Sequence, residues 1–131
     1  MSTNPFAKLI RSKTELDYEA QKQLADLLEP YIWLDPENNL VVFKDSASSL
    51  TSLQLVLVFM LAQKVKNLVN PELSPAVSAS EVETGTGLPG GTVRPKLTEL
   101  AKKKLLTHSG RAYEISPNFL ISELQQILKV R

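Results

Sequence analysis

Cysteine is absent from this sequence of 131 residues, and histidine and tryptophan each occur once, as His108 and Trp33. Without cysteine there are no disulfide bonds, no thiolate metal sites and no thiol nucleophile. A catalytic triad needs a base beside its nucleophile, and the single histidine lies in a predicted strand next to a glycine turn. The chain also offers no set of histidine or carboxylate ligands at coordinating spacings. We therefore predict that the protein is not an enzyme and uses neither a cofactor nor a metal ion.

Long hydrophobic runs are scarce as well. The most apolar window, residues 53–62, includes Gln54 and is shorter than the stretch of about 20 residues that a membrane-spanning helix needs. The N-terminal residues MSTNPFAKLIRSK lack the apolar run of a signal peptide. These features predict a cytoplasmic protein without membrane association.

Charge is divided unevenly along the chain. Residues 1–87 carry 7 Lys/Arg and 11 Asp/Glu, whereas residues 88–131 carry 8 and 3, so the formal charges of the two parts are −4 and +5. A concentration of positive charge is the footprint of a phosphate-binding face. A solvated helix face gives the same pattern, and a lysine run at a helix C-terminus complements the helix dipole without any ligand. Charge alone leaves both interpretations open.

The N-terminal part predicts an arm followed by a helix. Residues 1–13 are polar and basic and are interpreted as a flexible arm. Thr14 and Asp17 give a cap signal for a helix that ends before Pro30. The apolar stripe of this helix consists of Leu16, Ala20, Leu24, Leu27 and Leu28, and its opposite face carries Glu15, Asp17, Glu19, Asp26 and Glu29. Because an acidic face repels nucleic acid, we expect this helix to lie away from any phosphate-binding side or to cover a partner.

A hairpin and a long helix come next. The β-rich runs 31–34 and 40–43 flank a stretch of turn-forming residues, which predicts the hairpin. We assign its Trp33 to the core in preference to a stacking platform for nucleic acid. Residues 50–69 predict one helix that is apolar almost all the way round between residues 53 and 62. Such a helix must be covered on several sides, either within the chain or by a second copy of it.

Residues 78–115 carry the most distinctive pattern. Ser78 and Glu81 form a capping-box signal for a short helix, which the glycines and the proline of GTGLPGG bring to an end. A second helix follows, with one apolar face made of Val93, Leu97, Leu100 and Ala101. Residues 105–108 and 112–115 then predict two strands around a glycine turn. Ser116 and Pro117 give the start signal of a final amphipathic helix.

This order of helix, turn, helix and hairpin resembles a winged helix-turn-helix domain, and the segments TGLPGGTVRPKLTELAKKKLL and GRAYEI carry the resemblance. It implies a mainly α fold with a small β component, of the α+β class, in which residues 50–116 form the winged helix. Residues 14–49 would add an N-terminal helix and hairpin, and residues 117–131 a C-terminal helix for packing or dimerisation. The family implies binding of double-stranded DNA with the second helix in the major groove, although the fold also serves as a protein-docking module.

The second helix and the hairpin tip supply the candidate DNA contacts. With Val93, Leu97 and Leu100 buried, Gly91, Pro95, Thr98 and Lys102 point directly away from the core. The predicted DNA-binding residues are Thr92, Arg94, Lys96, Thr98, Lys102, Lys103 and Arg111.

Pro95 departs from the polar or basic residue that many family members have at this position. A proline costs no internal hydrogen bond if the helix, predicted over residues 92–104, begins near Thr92. The prediction is a transcription regulator that holds DNA mainly through phosphates, as a monomer or as a homodimer through the helices of residues 50–69 and 117–131. The alternative is an adaptor that docks a protein partner through the acidic helix or the apolar central helix.

Overall fold

The computed structural model describes residues 18–117 and 119–129. Within them the chain has five α-helices and two small antiparallel sheets, which confirms the predicted α+β class. The helices are α1 (Tyr18–Leu28), α2 (Ser52–Val69), α3 (Ala79–Thr86), α4 (Gly90–Lys102) and α5 (Ile121–Leu128), with a short 3-10 helix at Asp45–Ser49. The strands are β1 (Ile32–Asp35), β2 (Leu40–Phe43), β3 (Val77–Ser78), β4 (Leu106–Ser109) and β5 (Ala112–Ile115).

Helix α1 agrees with its predicted stripe and end. Leu24 and Leu28 are buried, while Glu19, Asp26 and Glu29 are exposed on the other side. The helix ends before Pro30 and packs against α5. The predicted arm of residues 1–13, the cap at Thr14 and the apolar Leu16 lie outside the residues that the structure describes.

Helix α2 is the centre of the core. A capping box starts it, because the backbone N–H of Gln54 donates to Thr51 Oγ1 at 3.2 Å and the N–H of Thr51 donates to Gln54 Oε1 at 2.8 Å. All residues from 56 to 63 are buried, and the helix contacts α3, α4, β5 and β2. The all-round apolar pattern is therefore covered within one chain, so it gives no support to a homodimer through this helix.

The apolar part of α2 is longer than the window of residues 53–62. Over its 18 residues the mean hydropathy is 1.3, and among the described residues it is the one helix long and apolar enough to cross a membrane. Of this span 44% is buried inside the protein. The core helix of a soluble protein can have the length and composition of a membrane span.

The β1–β2 hairpin forms as predicted, but the placement of Trp33 in the core is wrong. Alternate residues of a strand point to opposite faces, and Ile32 is buried whereas Trp33 is 64% exposed. Trp33 pairs across the sheet with Val42, and the ammonium group of Lys44 lies 3.9 Å from the centre of its ring. A two-stranded sheet packs only one face on the core, and the tryptophan belongs to the other.

The hairpin turn is held by Asp35. Its carboxylate accepts from the side-chain amide of Asn38 at 2.9 Å and from the backbone N–H groups of Glu37 and Asn38 at 3.0 and 3.3 Å. The side-chain bond from Asn38, followed by the backbone bonds, lowers the pKa of the Asp35 carboxyl. Asn39 completes the turn with a φ of 55°, which asparagine tolerates better than most residues.

A strand that the sequence did not predict joins the second sheet. Val77 and Ser78 form β3, which pairs with Tyr113 and Ala112 of β5. The strand order is β3-β5-β4. Two residues give no periodic signal, and their partners lie more than 30 positions away along the chain. This pairing joins the start of α3 to the β4–β5 hairpin.

Helix α3 begins with the predicted capping box, in which the backbone N–H of Glu81 donates to Ser78 Oγ at 3.2 Å and the N–H of Ser78 donates to Glu81 Oε1 at 3.1 Å. The helix continues through Gly85 to Thr86, and Gly87 ends it with a φ of 76°. That backbone conformation favours glycine over residues with a side chain.

Helix α4 begins two residues earlier than predicted, at Gly90 instead of Thr92. Pro89, in an extended conformation, offers its carbonyl to the N–H groups of Thr92 and Val93 at 2.9 and 3.0 Å. Pro95 therefore lies inside the helix, and the hydrogen bond from residue 95 to the Gly91 carbonyl is missing, contrary to the prediction that the proline costs none. The tight turn after α3 sets this start, because no side-chain cap is used.

The end of α4 is also earlier than predicted, at Lys102. Lys104 has a φ of 65°, and the N–H groups of Lys104 and Leu105 donate to the carbonyls of Ala101 and Leu100 at 3.0 and 3.1 Å. This is the Schellman pattern, here with lysine where glycine is usual. Leu105 and Leu100 are both buried beside it, so the turn is held by apolar contact as well as by hydrogen bonds.

The final helix starts later than predicted. The Ser116–Pro117 signal is not used as a cap, because the backbone N–H of Ser116 donates to the Leu105 carbonyl at 2.9 Å and so prolongs the β4–β5 pairing. Helix α5 begins at Ile121, after Leu120. Leu124 and Leu128 are buried, and Gln54 of α2 donates to the Ile127 carbonyl at 2.8 Å. This helix therefore packs back on its own chain.

Candidate nucleic-acid interface

Helix α4 presents one face to the core and the opposite face to solvent. Val93, Leu97 and Leu100 are all 0% exposed, which fixes the rotation of the helix about its axis. The four residues expected to point outward, Gly91, Pro95, Thr98 and Lys102, are all exposed. A side-chain atom added at Gly91 would meet nothing within 4 Å. This face is open to a ligand along the length of the helix.

Thr98, at the middle of this face, uses its hydroxyl inside the helix. Its Oγ1 donates to the Arg94 carbonyl at 3.1 Å, as threonine commonly does in helices. The hydroxyl hydrogen is therefore engaged within the helix, while the Thr98 side chain is exposed. Thr98 is consequently a poor hydrogen-bond donor toward a ligand.

The two arginines predicted as phosphate contacts lie at one crevice. Arg94 of α4 and Arg111 of the β4–β5 turn both line a crevice of about 530 Å³. Its remaining lining residues are Ser78, Ala79, Ser80, His108, Gly110 and Tyr113. The β3–β5 pairing creates it, because this pairing fastens the start of α3 beside the hairpin that carries Arg111.

The positive potential in this crevice comes more from the guanidinium groups of Arg94 and Arg111 than from the N-terminus of α3. The capping box already uses the Ser78 hydroxyl as an acceptor and places the Glu81 carboxylate at the helix N-terminus. That carboxylate offsets the partial positive charge of the N-terminus. The structure gives Arg94 and Arg111 no ion pair with any described residue, and both side chains are exposed. Two unpaired guanidinium groups in one concave site favour an anionic oxygen ligand.

The β4–β5 hairpin that carries Arg111 is short and well braced. Ser109 pairs with Ala112, so Gly110 and Arg111 form a two-residue loop, in which Gly110 has a φ of 61°. One step down the hairpin, the rings of His108 and Tyr113 stack with centroids 4.3 Å apart and planes 2° apart. The stacked pair holds the two strands together directly below the arginine. His108 is exposed, as expected for a surface residue of the hairpin.

The other predicted contacts are distributed over two further places. Thr92 and Lys96 are half-buried, and Lys96 lies about 200° around the helix from Arg94, on the opposite flank. Lys102 and Lys103 are exposed at the end of α4. The structure therefore brings Arg94 and Arg111 together, and leaves the lysines as a separate cationic group.

The chain matches no protein-family model, no curated protein and no solved structure.

Several residues near this surface were missed by the sequence analysis as contacts. Ser80, His108 and Tyr113 line the crevice with the arginines, and only the strand pairing places them there. Lys104 adds an exposed positive charge beyond the end of α4, and Glu99 adds an exposed negative one on the helix itself. The helical period places Glu99 about 40° from Pro95 around the helix, and that spacing was the available signal.

Metal binding has no support from the described part of the chain. Within residues 18–117 and 119–129 no group of three or more His, Cys, Asp or Glu side chains is placed to hold a metal ion. The chemistry of the surface is thus that of cationic groups around an exposed helix.

Proposed function

We propose that the protein binds double-stranded DNA as a winged-helix transcription regulator, with α4 in the major groove. The single observation that carries the proposal is the shared crevice of Arg94 and Arg111 beside the exposed face of α4. Two guanidinium groups from separate elements match phosphates of one DNA backbone next to the groove that a helix enters. A cytoplasmic location belongs to the same proposal.

The arrangement of elements supports a winged-helix topology. Helices α2, α3 and α4 contact one another, α3 and α4 are joined by a short turn, and the β4–β5 hairpin follows α4. The hairpin would be the wing, with Arg111 at its tip. A homodimer through α2 and α5 stays a prediction. Residues 56–63 of α2 and Leu124 and Leu128 of α5 are already buried within the chain.

Binding through phosphates has a measurable signature. Each phosphate neutralised by a lysine or arginine contributes about 0.9 to the slope of log affinity against log salt. The candidates are Arg94, Lys96, Lys102, Lys103 and Arg111, so we expect a slope of about 3 to 5. The measurement is fluorescence anisotropy with a labelled generic duplex between about 50 and 200 mM salt.

Matched variants separate site binding from loss of charge. We expect Arg94→Ala to weaken binding to all sequences and to reduce the salt slope by about one, and Lys96→Ala to act in the same way. Arg111→Ala should cost less, because a two-residue tip reaches only one or two phosphates. Lys22→Ala removes the same charge from α1, where the residue is exposed, and should leave binding unchanged. If the Lys22 variant loses as much as the Arg94 variant, binding is not at this surface.

A protein-docking adaptor is the second candidate function, and the outer face of the β1–β2 hairpin favours it. Trp33, Leu40 and Val42 are 64%, 54% and 45% exposed on neighbouring positions. Of the two predicted docking elements, α2 is buried over residues 56–63, whereas the acidic face of α1 is exposed at Glu19, Asp26 and Glu29. If the protein is an adaptor, the folded wild-type protein should bind no duplex at either salt concentration. Trp33→Ala should then abolish its capture of a protein partner.

A further inference from the structure

We propose that α4 recognises the 5-methyl group of pyrimidine bases in the major groove, so that the protein favours thymine over cytosine where Thr98 and Pro95 meet the base edges. This inference rests on the proposed binding of duplex DNA. It concerns which chemical group of the DNA the helix distinguishes.

The outward face of α4 lacks the donors that read bases by paired hydrogen bonds. Arginine, lysine, asparagine and glutamine make such contacts with guanine and adenine. Gly91 has no side chain, Pro95 has a hydrocarbon ring, and the Thr98 hydroxyl already donates to the Arg94 carbonyl at 3.1 Å. Lys102 alone carries a donor among the four outward residues, and it lies in the last turn of the helix. Among these four residues, hydrogen-bond donation to the bases is therefore confined to that end.

The centre of this face offers two apolar groups, with the exposed carboxylate of Glu99 about 40° around the helix from Pro95. The Pro95 ring and the Thr98 methyl group are exposed on adjacent turns, three residues apart, and therefore lie side by side. The major groove presents one apolar group, the C5-methyl of thymine, and threonine methyl groups contact it. Because Thr98 is exposed and its hydroxyl donates within the helix, its methyl group is the part of the side chain that can add apolar contact. A surface of this kind discriminates by whether a methyl group is there to be buried.

The test uses DNA duplexes that differ only in methyl groups. One 20-base-pair duplex of mixed A·T sequence is compared with the same duplex in which every thymine is replaced by uracil, so that each binding register either has or lacks the methyls. Burial of one methyl group corresponds to about a fourfold change in affinity. We therefore expect the uracil duplex to bind the wild-type protein about 4- to 15-fold more weakly in anisotropy titrations at about 50 mM salt, for one or two methyl contacts.

Two variants at one position assign the effect to the side chain. Thr98→Ser keeps the hydroxyl and removes the methyl group, so it should lower the preference for thymine over uracil by about fourfold. Thr98→Val keeps the methyl group and replaces the hydroxyl by a second methyl, so it should retain the preference for thymine. As a second probe, a G·C duplex with 5-methylcytosine should bind the wild-type protein more tightly than its unmethylated form.

Each outcome decides between the two proposals. Equal affinity for the thymine and uracil duplexes, with salt-dependent binding intact, overturns the methyl inference and leaves DNA binding in place. A preference for thymine that is undiminished in Thr98→Ser also overturns it, because the Thr98 methyl group would then contribute nothing. Absence of binding to every duplex overturns the proposed function together with this inference.

Discussion

Gly85 packs against Phe59 so closely that the smallest side chain would not fit. A Cβ atom added at Gly85 would lie 2.1 Å from Cε1 and 2.5 Å from Cζ of the Phe59 ring, whereas carbon atoms in contact are about 3.5 to 4.0 Å apart. Phe59 is 6% exposed in the middle of α2, and with Gly85 it borders a cavity of about 390 Å³, so its ring can move only by giving up contacts with the core. Substitution to alanine must move the ring or push α3 away from α2.

The expected net effect of Gly85→Ala is a loss of stability. Overpacking in a filled core costs about 1 to 3 kcal/mol and sometimes more, and so short a distance belongs at the upper end. Alanine inside a helix returns about 1 kcal/mol relative to glycine. We therefore expect the free energy of unfolding to fall by about 2 kcal/mol, and the melting temperature to fall by about 8 °C at a conversion of about 4 °C per kcal/mol.

Gly91→Ala is the matched control, because Gly91 is also inside a helix but has nothing within 4 Å of an added Cβ. Here only the gain in helix propensity remains, so stability should rise by up to about 1 kcal/mol. The assay is urea unfolding followed by far-ultraviolet circular dichroism, which reports on the helices. Trp33 fluorescence would be a poor probe of the core, since that residue is 64% exposed.

The close approach of Gly85 to Phe59 also predicts an interaction between the two positions. In the double variant Gly85→Ala, Phe59→Leu, the smaller side chain makes room for the new methyl group. Its loss of stability should be smaller than the sum of the two single losses by at least about 1 kcal/mol. If Gly85→Ala is as stable as the wild type, or if the two losses simply add, the packing described here between α2 and α3 is wrong.

Two further predictions concern the charged residues of α4 and its end. Lys104→Gly should raise the free energy of unfolding by about 0.5 to 1 kcal/mol, because residue 104 has a φ of 65°, which favours glycine. Lys103→Gly, at a φ of −78°, should give no such gain in the same urea assay. An equal gain in the Lys103 variant would show that the backbone conformation of residue 104 is not the cause. Glu99→Gln should raise affinity for duplex DNA about threefold at about 50 mM salt and less at about 200 mM, because it removes an exposed negative charge beside the DNA phosphates of the proposed complex. Glu123→Gln on α5 is the control. An unchanged affinity of the Glu99 variant would place α4 away from the DNA.

The fold class and most elements follow from local patterns. The Ser78–Glu81 capping box, the end of α1 before Pro30 and the α4 stripe of Val93, Leu97 and Leu100 all involve residues within a few positions of one another. Their physical causes, which are backbone capping, the missing N–H of proline and the helical period, act at that range. These elements were accordingly predictable.

The errors arose where distant residues decide the outcome. The exposure of Trp33 depends on which face of the hairpin lies on α2, and the alternation of the strand alone does not select that face. The start of α4 at Gly90 is an exception, because it is set by the adjoining turn, in which the Pro89 carbonyl accepts from the N–H groups of Thr92 and Val93. Strand β3 is defined only by its pairing with β5, which lies far along the chain.

The candidate site divides in the same way. The sequence by itself determined which side chains of α4 face solvent and that positive charge is concentrated in the second half of the chain, because helical periodicity and composition are local properties. Only the tertiary structure brought Arg94 and Arg111 to one crevice. The pairing of β3 with β5 fixes the start of α3 beside the β4–β5 hairpin. No pattern within either element encodes that contact.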